Sequence, residues 1–203
     1  MRPPRGREIL LAVAVLNAGL VAAAFLLEGA SEEGIRFVIR HTAKLAVVLL
    51  SGAFAASSLQ ALRPTEFSRY LLVNRRMLGL AMALSHTLHL AALVVLGMAY
   101  PDPFVAELDA VTLVGGGGAY AFMFAMAATS WDGAVKRLGR ERWRQLHTLG
   151  GWYLWVVFTQ SYLGRAVAEP LHVASLFSAL PLAVGALRAV RWRTHRRRVA
   201  PAA

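Results

Sequence analysis

The chain has 203 residues, of which 57% are hydrophobic and 16% are charged, and it contains no cysteine. This composition is more apolar and less charged than that of a typical soluble domain, and the lack of cysteine excludes disulfides, thiolate metal sites and cysteine nucleophiles. The formal net charge is +11, but the distribution of that charge, described below, favours a membrane topology over nucleic-acid binding.

Six blocks that are free or nearly free of charge follow one another along the chain. Each has about 17 to 24 residues, which is the length with which a helix crosses a hydrocarbon core about 30 Å thick. Because backbone amides in lipid must be hydrogen-bonded within their own segment, we expect all the blocks to be helical. The sequence therefore predicts one all-α domain over residues 1–203, an integral membrane bundle of six transmembrane helices. The predicted spans are 9–27, 41–62, 77–100, 110–131, 146–164 and 171–187.

Basic residues are concentrated on alternate connections between these spans. The N-terminal segment, the connections after the second and fourth spans, and the C-terminal tail hold 18 of the 22 lysines and arginines. The positive-inside rule then predicts cytoplasmic termini and a multi-pass protein of the bacterial inner membrane. We interpret the basic tail as a contact with anionic membrane lipid and expect no nucleic-acid partner. The remaining four basic residues, Arg36, Arg40, Lys44 and Arg165, lie on the opposite side of the predicted topology.

Five histidines are candidates for metal binding, and their depth follows from the helical rise. Counted from the cytoplasmic boundary, His147 lies roughly 5 Å deep, His86 roughly 15 Å and His89 roughly 20 Å. His172 would lie roughly 24 Å deep, near the outer boundary, and His41 would head the second helix at the outer surface. The sixth histidine, His195, belongs to the arginine tail and is predicted to be solvated.

The pair His86 and His89 lies on one face of a helix in the middle of an apolar span. A histidine at that depth costs free energy unless it has a partner, which Ser85 or Thr87 could provide. Together with His147, however, the pair favours a cofactor. Imidazole is the standard axial ligand of haem iron, whereas a zinc site would more often include a carboxylate, and the six spans contain none. The predicted cofactor is haem b, in one or two copies, while a flavin has no support in the sequence.

Motifs between residues 40 and 164 resemble the ferric reductase-like transmembrane domain family. They are "RRMLGL" at 75–80, "LH" at 88–89, "TS" at 129–130, "RLG" at 137–139 and "WRQLH" at 143–147. Within that family, the pattern is similar to the haem-binding membrane subunits of periplasmic methionine-sulfoxide reductase systems.

The resemblance implies a six-helix b-type cytochrome in which His89 and His147 match family haem ligands. It also implies electron transfer from a cytoplasmic flavin reductase or a quinol, through haem, to a periplasmic acceptor protein. In the sulfoxide reductase system that acceptor is a molybdenum enzyme that repairs oxidised methionine. The chain would then be an electron-transfer (oxidoreductase) subunit that needs partner chains.

Two positions depart from the family pattern. Gln160 stands where a histidine is usual, thirteen residues after the one that opens the fifth helix. An outer haem on His89 would therefore be five-coordinate, or it would take its second ligand from His172 or, next, from His41. His86 stands where relatives tend to have an apolar or aromatic residue, and we predict either a replacement ligand or a hydrogen-bonding neighbour of the haem.

Depth also separates two possible haem levels. His147 lies roughly 15 Å closer to the cytoplasm than His89, while an iron holds its axial nitrogens about 2 Å away on each face. The two histidines are therefore not expected to share one haem. His147 would serve an inner haem that is weakly held or absent, because Arg75 occupies the third-helix position nearest its depth. His86 is the alternative partner of His147 if the fifth helix sits higher.

Two other functions stay open because of these departures. One is a ferric reductase-like oxidoreductase with a different acceptor. The other is a haem-free membrane scaffold or metal-handling protein in which the histidines serve packing or metal transport, since a fold does not by itself imply a function.

Overall fold

The structure is a computed structural model that describes residues 3–106, 108–168 and 173–199. Every regular element within those ranges is a helix, so the all-α prediction is confirmed for them. The α-helices are α1 (Arg7–Glu28), α2 (Glu32–Leu62), α3 (Glu66–Ala99), α4 (Pro101–Ala106), α5 (Ala110–Ala128), α6 (Asp132–Leu138), α7 (Arg140–Ala168) and α8 (Ala179–Val199), and a 3₁₀ helix covers Val173–Ser178.

Four of the described helices, α1, α2, α3 and α5, are long and apolar enough to cross a membrane. This number supports a multi-pass membrane protein. The fifth predicted span coincides with α7, which interleaves apolar residues with polar ones such as Thr159 and Gln160. The sixth coincides with the 3₁₀ helix and α8, and α8 continues into the run of arginines.

Helix α2 begins nine residues before the predicted start at residue 41, so His41 lies inside the helix and not at its head. The reason is a polar first turn with its own stabilising contacts. The Ser31 hydroxyl caps the helix by accepting a hydrogen bond from the Gly34 N–H (3.1 Å). One turn further on, Arg36 pairs with Glu32 at 2.7 Å. These contacts extend the helix beyond its apolar stretch.

Helix α3 begins eleven residues before the predicted start at residue 77, so part of the basic connection is helical. A reciprocal cap explains the early start. Thr65 Oγ1 accepts a hydrogen bond from the Ser68 N–H (3.1 Å), and Ser68 Oγ accepts one from the Thr65 N–H (2.8 Å). Arg69, Arg75 and Arg76 therefore project from α3 itself and not from a loop.

The basic connection after the fourth span is also helical in part. Helix α5 ends at Ala128, three residues before the predicted boundary, and α6 follows. Gly139 then turns the chain with a φ of 79°, a conformation that glycine adopts without strain. Helix α7 begins at Arg140, six residues before the predicted start of the fifth span.

The predicted sixth span is not one continuous α-helix. Its described part runs as a 3₁₀ helix and becomes α-helical at Ala179. Pro181 lies in the first turn of α8, where an N–H would have no intrahelical partner. The Pro181 carbonyl accepts a hydrogen bond from Trp155 Nε1 (2.8 Å), which attaches α8 to α7.

The packed core lies mainly between α2 and α3. Ala46, Ala56 and Ala81 are completely buried, and such small side chains let two membrane helices approach closely. Helix α1 joins this pair through a buried polar contact, in which Ser85 Oγ donates a hydrogen bond to Asn17 Oδ1 (3.1 Å). Interhelical hydrogen bonds of this kind stabilise helix pairs where no water is available.

Contacts between distant segments place the basic regions at one end of the bundle. The Gly6 N–H donates a hydrogen bond to Asn74 Oδ1 (2.9 Å), which brings the N-terminal segment to the start of α3. Arg76 pairs with Asp132 of α6 at 3.0 Å. Arg188 of α8 donates a hydrogen bond to a main-chain carbonyl of α2 (3.0 Å). The basic segments that the sequence assigns to one side of the membrane therefore lie together in the fold.

Candidate functional site

His89 lies on α3 with one ring nitrogen fixed and the other available. Its Nδ1 is 3.0 Å from the carbonyl oxygen of Ile39 on α2 and 3.5 Å from Thr42 Oγ1. The Thr42 hydroxyl donates its own proton to the carbonyl of Val38 (2.6 Å). The neutral ring therefore carries its proton on Nδ1, where the Ile39 carbonyl accepts it. Nε2 has no hydrogen bond within the described ranges, and it is a nitrogen that can bind iron.

The neighbouring His86 has a buried ring nitrogen without a partner. No hydrogen bond reaches its Nδ1 from the described part of the chain. The two partners that the sequence suggests bond elsewhere: the single hydroxyl proton of Ser85 is shared between Asn17 Oδ1 (3.1 Å) and the carbonyl of Thr42 (3.2 Å), and Thr87 Oγ1 donates to the carbonyl of Ala83 (2.7 Å). Leaving a buried polar atom unpaired costs about 1–3 kcal/mol. His86 is therefore not a packing histidine with a satisfied hydrogen bond.

Aromatic rings surround His86 on two further helices. Tyr120 of α5 stacks on it with ring centroids 5.0 Å apart, and Phe158 of α7 lies 5.0 Å away at a tilt. The Tyr120 hydroxyl is also buried without a hydrogen-bond partner among the described residues. The unpaired Nδ1 of His86 and the unpaired hydroxyl of Tyr120 fit a metal-bearing or polar group bound between α3, α5 and α7.

His86 and His89 cannot bind opposite faces of one iron in this arrangement. Their rings are stacked, with centroids 4.6 Å apart and planes 10° from parallel. Axial ligands approach an iron from opposite sides, each with a nitrogen about 2 Å from the metal. Two parallel rings on the same face of α3 present their nitrogens side by side. A second ligand for an iron on His89 must therefore come from another helix.

At the outer level the structure describes Gln160, which replaces the usual family histidine, and the candidate ligand His41. Gln160 is exposed on the outside of α7, whereas the buried face of that helix presents Phe158 to the histidine pair. His41 Nδ1 lies 2.9 Å from the carbonyl of Phe37, and its ring stacks on the ring of that residue at 4.0 Å. His172 lies outside the described residues.

His147 has a different hydrogen-bonding state from His89. Its Nε2 lies 3.1 Å from Thr129 Oγ1 at the end of α5. Because the Thr129 hydroxyl donates its own proton to the carbonyl of Ala125 (2.7 Å), its oxygen accepts from His147 Nε2–H. Nδ1 is then the available nitrogen of the neutral ring. The ring also stacks on Trp143, with centroids 4.2 Å apart.

A cavity of about 530 Å³ opens beside His147. Its walls come from α2, α3, α5, α6 and α7, and its volume is in the range of small-molecule and cofactor sites. Basic side chains are prominent in its lining: Arg75, Arg76 and Arg144. The cavity could hold a planar anionic ligand, such as a haem with its propionates, against the cations.

The two candidate levels are well separated along α7. Phe158, which contacts His86, follows His147 by eleven residues. At 1.5 Å per helical residue this is about 16 Å. The structure thus brings His86 and His89 together and leaves His147 apart, at the end that carries the basic segments. The assignment of ligands to individual haems stays a prediction.

Sequence reasoning did not single out Tyr120 or the role of Thr129. Thr129 belongs to the "TS" motif, so the motif was recognised from the sequence but the bond from Thr129 to His147 was not.

Tyr120 follows the run of four glycines at 115–118. Of these four, only Gly118 makes a close approach: a Cβ there would collide with the Tyr153 hydroxyl of α7. The three preceding glycines face open space. Helix packing therefore explains the last glycine of the run.

Residues 41–159 match the family described as ferric reductase like transmembrane component. The protein-methionine-sulfoxide reductase heme-binding subunit MsrQ of Ralstonia nicotianae is 33% identical over 120 residues, which are 57% of this chain and 52% of that protein. The chain thus spans about half the length of the curated relative it matches. No solved structure matches the chain. Because the family match covers more than half of the residues, including His41, His86, His89 and His147, the chain belongs to the ferric reductase-like transmembrane family.

Proposed function

We propose that this chain is the haem-binding subunit of a membrane electron-transfer system, a b-type cytochrome whose single domain covers the whole bundle. The observation that carries the proposal is the state of His89, with Nδ1 held by the Ile39 carbonyl and Nε2 available. Membership of the ferric reductase-like family supports it, as does the relative from Ralstonia nicotianae, which is named as a heme-binding subunit.

His89 would hold the outer haem through Nε2. The Ile39 carbonyl fixes the ring orientation and increases the basicity of the ligating nitrogen, as a hydrogen-bond acceptor behind a metal-bound imidazole generally does. His172 is the leading candidate for the opposite face, with His41 the next. His86 lies beside His89 and would act as a polar neighbour of the haem. Bound haem would supply one-electron redox chemistry.

His147 would belong to an inner haem in the cavity of about 530 Å³. In the neutral ring described above, Nδ1 is available and Nε2 is bonded to Thr129. Binding through Nε2 would require that bond to be given up, and its loss supports weaker binding at the inner level than at His89.

The proposed orientation has six spans with both termini in the cytoplasm. The concentration of basic residues on the connections at one end supports it. Electrons would then pass outward, from a cytoplasmic flavin reductase or a quinol to a periplasmic acceptor. A molybdenum methionine-sulfoxide reductase is the proposed acceptor, by similarity to the relative's named system. A ferric reductase-like activity with another acceptor is the second candidate, because Gln160 departs from the family pattern and faces outward.

The reduced-minus-oxidised absorbance spectrum of the detergent-purified protein tests the proposal. We expect b-type Soret and alpha bands in the wild type, loss of most haem in His89→Ala, and no change in His195→Ala, which removes a solvent-exposed histidine of the tail. A colourless wild-type preparation from haem-replete cells would exclude the cytochrome function. Equal haem content in the two variants would exclude His89 as a ligand.

A further inference from the structure

Gly116 lies on the packed face of α5, yet the space in front of it is unfilled. Its neighbours on that face, three and seven residues further on, are Ala119 and Met123, and both are buried in the core. A Cβ added at Gly116, by contrast, would meet no atom within 4 Å in the described structure, apart from the backbone of its own helix. The gap lies one turn before Tyr120, which stacks on His86.

Two contacts show that α3 and α5 run antiparallel along each other. The ion pair of Arg76 joins α3 to the start of α6, just beyond the end of α5. Further along α3, His86 stacks on Tyr120, which lies in the middle of α5. One turn forward on α3 therefore corresponds to one turn back on α5. These two positions hold His89 and Gly116, so the glycine lies at the level of the histidine whose Nε2 is available.

We propose that Gly116 forms the α5 wall of the outer haem site, where its missing side chain leaves room for the porphyrin beside His89. Glycine is the residue at which another group can approach a backbone most closely. Tyr120, one turn away, keeps a buried hydroxyl without a partner in the described ranges, which independently indicates a bound group at this place. The inference rests on the proposed function, because it assigns a residue to the haem that His89 would hold.

Haem binding by two leucine variants of the glycine run tests this assignment. Gly117 is the matched control, because a Cβ there also meets nothing, but its helix face carries the exposed Ala121 and Phe124. Haem would be titrated into protein purified from haem-deficient cells, in a His147→Ala background so that only the outer haem is counted. We expect Gly116→Leu to weaken haem binding about tenfold or more through overpacking, and Gly117→Leu to bind haem as the unchanged background does.

The melting temperature of the haem-free variants supplies a second readout. Because the space at Gly116 is unfilled, haem-free Gly116→Leu should melt no lower than Gly117→Leu. A lower melting temperature, or failure to fold, would show that other groups fill the space and would overturn the inference. Equal haem affinities of the two variants, together with loss of haem in His89→Ala, would overturn the inference and leave the proposed function intact. A wild-type protein that binds no haem would overturn both.

Discussion

His89 Nδ1 lies 3.0 Å from the carbonyl oxygen of Ile39, across the tightly packed interface of α2 and α3. A main-chain acceptor cannot rotate away as a side chain can, so the ring is held in one orientation with Nε2 directed away from α2. The contact links the largest packing interface of the fold to the proposed ligand. It also explains why a histidine is tolerated at this depth before any cofactor binds, because one of its two nitrogens is already satisfied.

Single His→Ala variants should separate the two haem levels. We expect His89→Ala to lose the outer haem, and His172→Ala to convert it to a high-spin form, because one axial bond is removed. His147→Ala should leave the outer haem intact, since His147 lies about 16 Å away along α7. Absorbance and electron paramagnetic resonance spectra provide the measurement. If His86→Ala and His147→Ala both abolish the spectrum while His172→Ala leaves it unchanged, one haem bridges α3 and α7 and the separation is wrong.

Gln160→His restores the residue type that the family pattern has at this position, and we expect it not to restore a ligand. The side chain of residue 160 is exposed, whereas Phe158 occupies the face of α7 towards His86. The spin state and midpoint potential of the haem should therefore equal those of the wild type. Thr159→His places a histidine at the neighbouring position of the same helix, and its haem spectrum can be compared with that of Gln160→His. A shift of the haem to a low-spin form in Gln160→His would show that α7 is rotated when haem is bound.

Reporter fusions test the proposed orientation. Fusions after Arg144 and after the C-terminal tail should report a cytoplasmic location, and fusions near Asp102 and Ala168 an external one. The expectation follows from the concentration of basic residues at one end of the bundle. A reversed pattern would also reverse the proposed direction of electron flow. An external signal after Arg144 together with a cytoplasmic tail would show that only one of the fifth and sixth predicted spans crosses the membrane.

The basic residues at the opposite end differ in their availability to an acceptor protein. Arg36 and Arg40 pair with Glu32 and Glu33 of their own helix, at 2.7 and 3.3 Å. Arg165 has no ion pair within the ranges that the structure describes. If these cations receive an acidic acceptor, Arg165→Gln should slow electron transfer several-fold at low salt and progressively less as ionic strength rises.

Arg36→Gln is the control for this experiment, and its effect should be smaller because the positive charge of Arg36 is already paired. Stopped-flow oxidation of the reduced protein by its acceptor would give the rates. Identical rates for Arg165→Gln and the wild type across the whole range of ionic strength would remove this residue from the docking surface.

The glycine run of α5 provides a matched pair for a test of packing. A Cβ at Gly118 would collide with the Tyr153 hydroxyl, whereas one at Gly117 meets open space. We expect Gly118→Ala to destabilise the protein by about 1–3 kcal/mol through overpacking. Gly117→Ala should be neutral or stabilising by about 0.5–1 kcal/mol, because alanine favours the helix. Thermal unfolding in detergent measures both, and equal melting temperatures would contradict the contact between α5 and α7.

The sequence by itself determined the properties that depend on local pattern. Span length and composition predict membrane helices because a lipid environment leaves the backbone no other hydrogen-bonded choice. A fixed rise per residue separates His147 from His89 without knowledge of the packing. Short ordered motifs were enough to identify the family, which the match over residues 41–159 confirms. The helix starts at Glu32 and Glu66 were missed, because capping turns extend a helix beyond its apolar stretch.

Only the tertiary structure decided which atoms meet. The bond from His89 to the Ile39 carbonyl, the unpaired Nδ1 of His86 and the outward position of Gln160 depend on how each helix is rotated about its axis. Rotation is set by interdigitation with neighbouring helices, and in an apolar environment the hydrophobic pattern hardly constrains it. The same reason applies to Arg188, which the sequence assigns to the basic tail. Packing of α8 against α2 turns its guanidinium inward, onto the ring of Phe54.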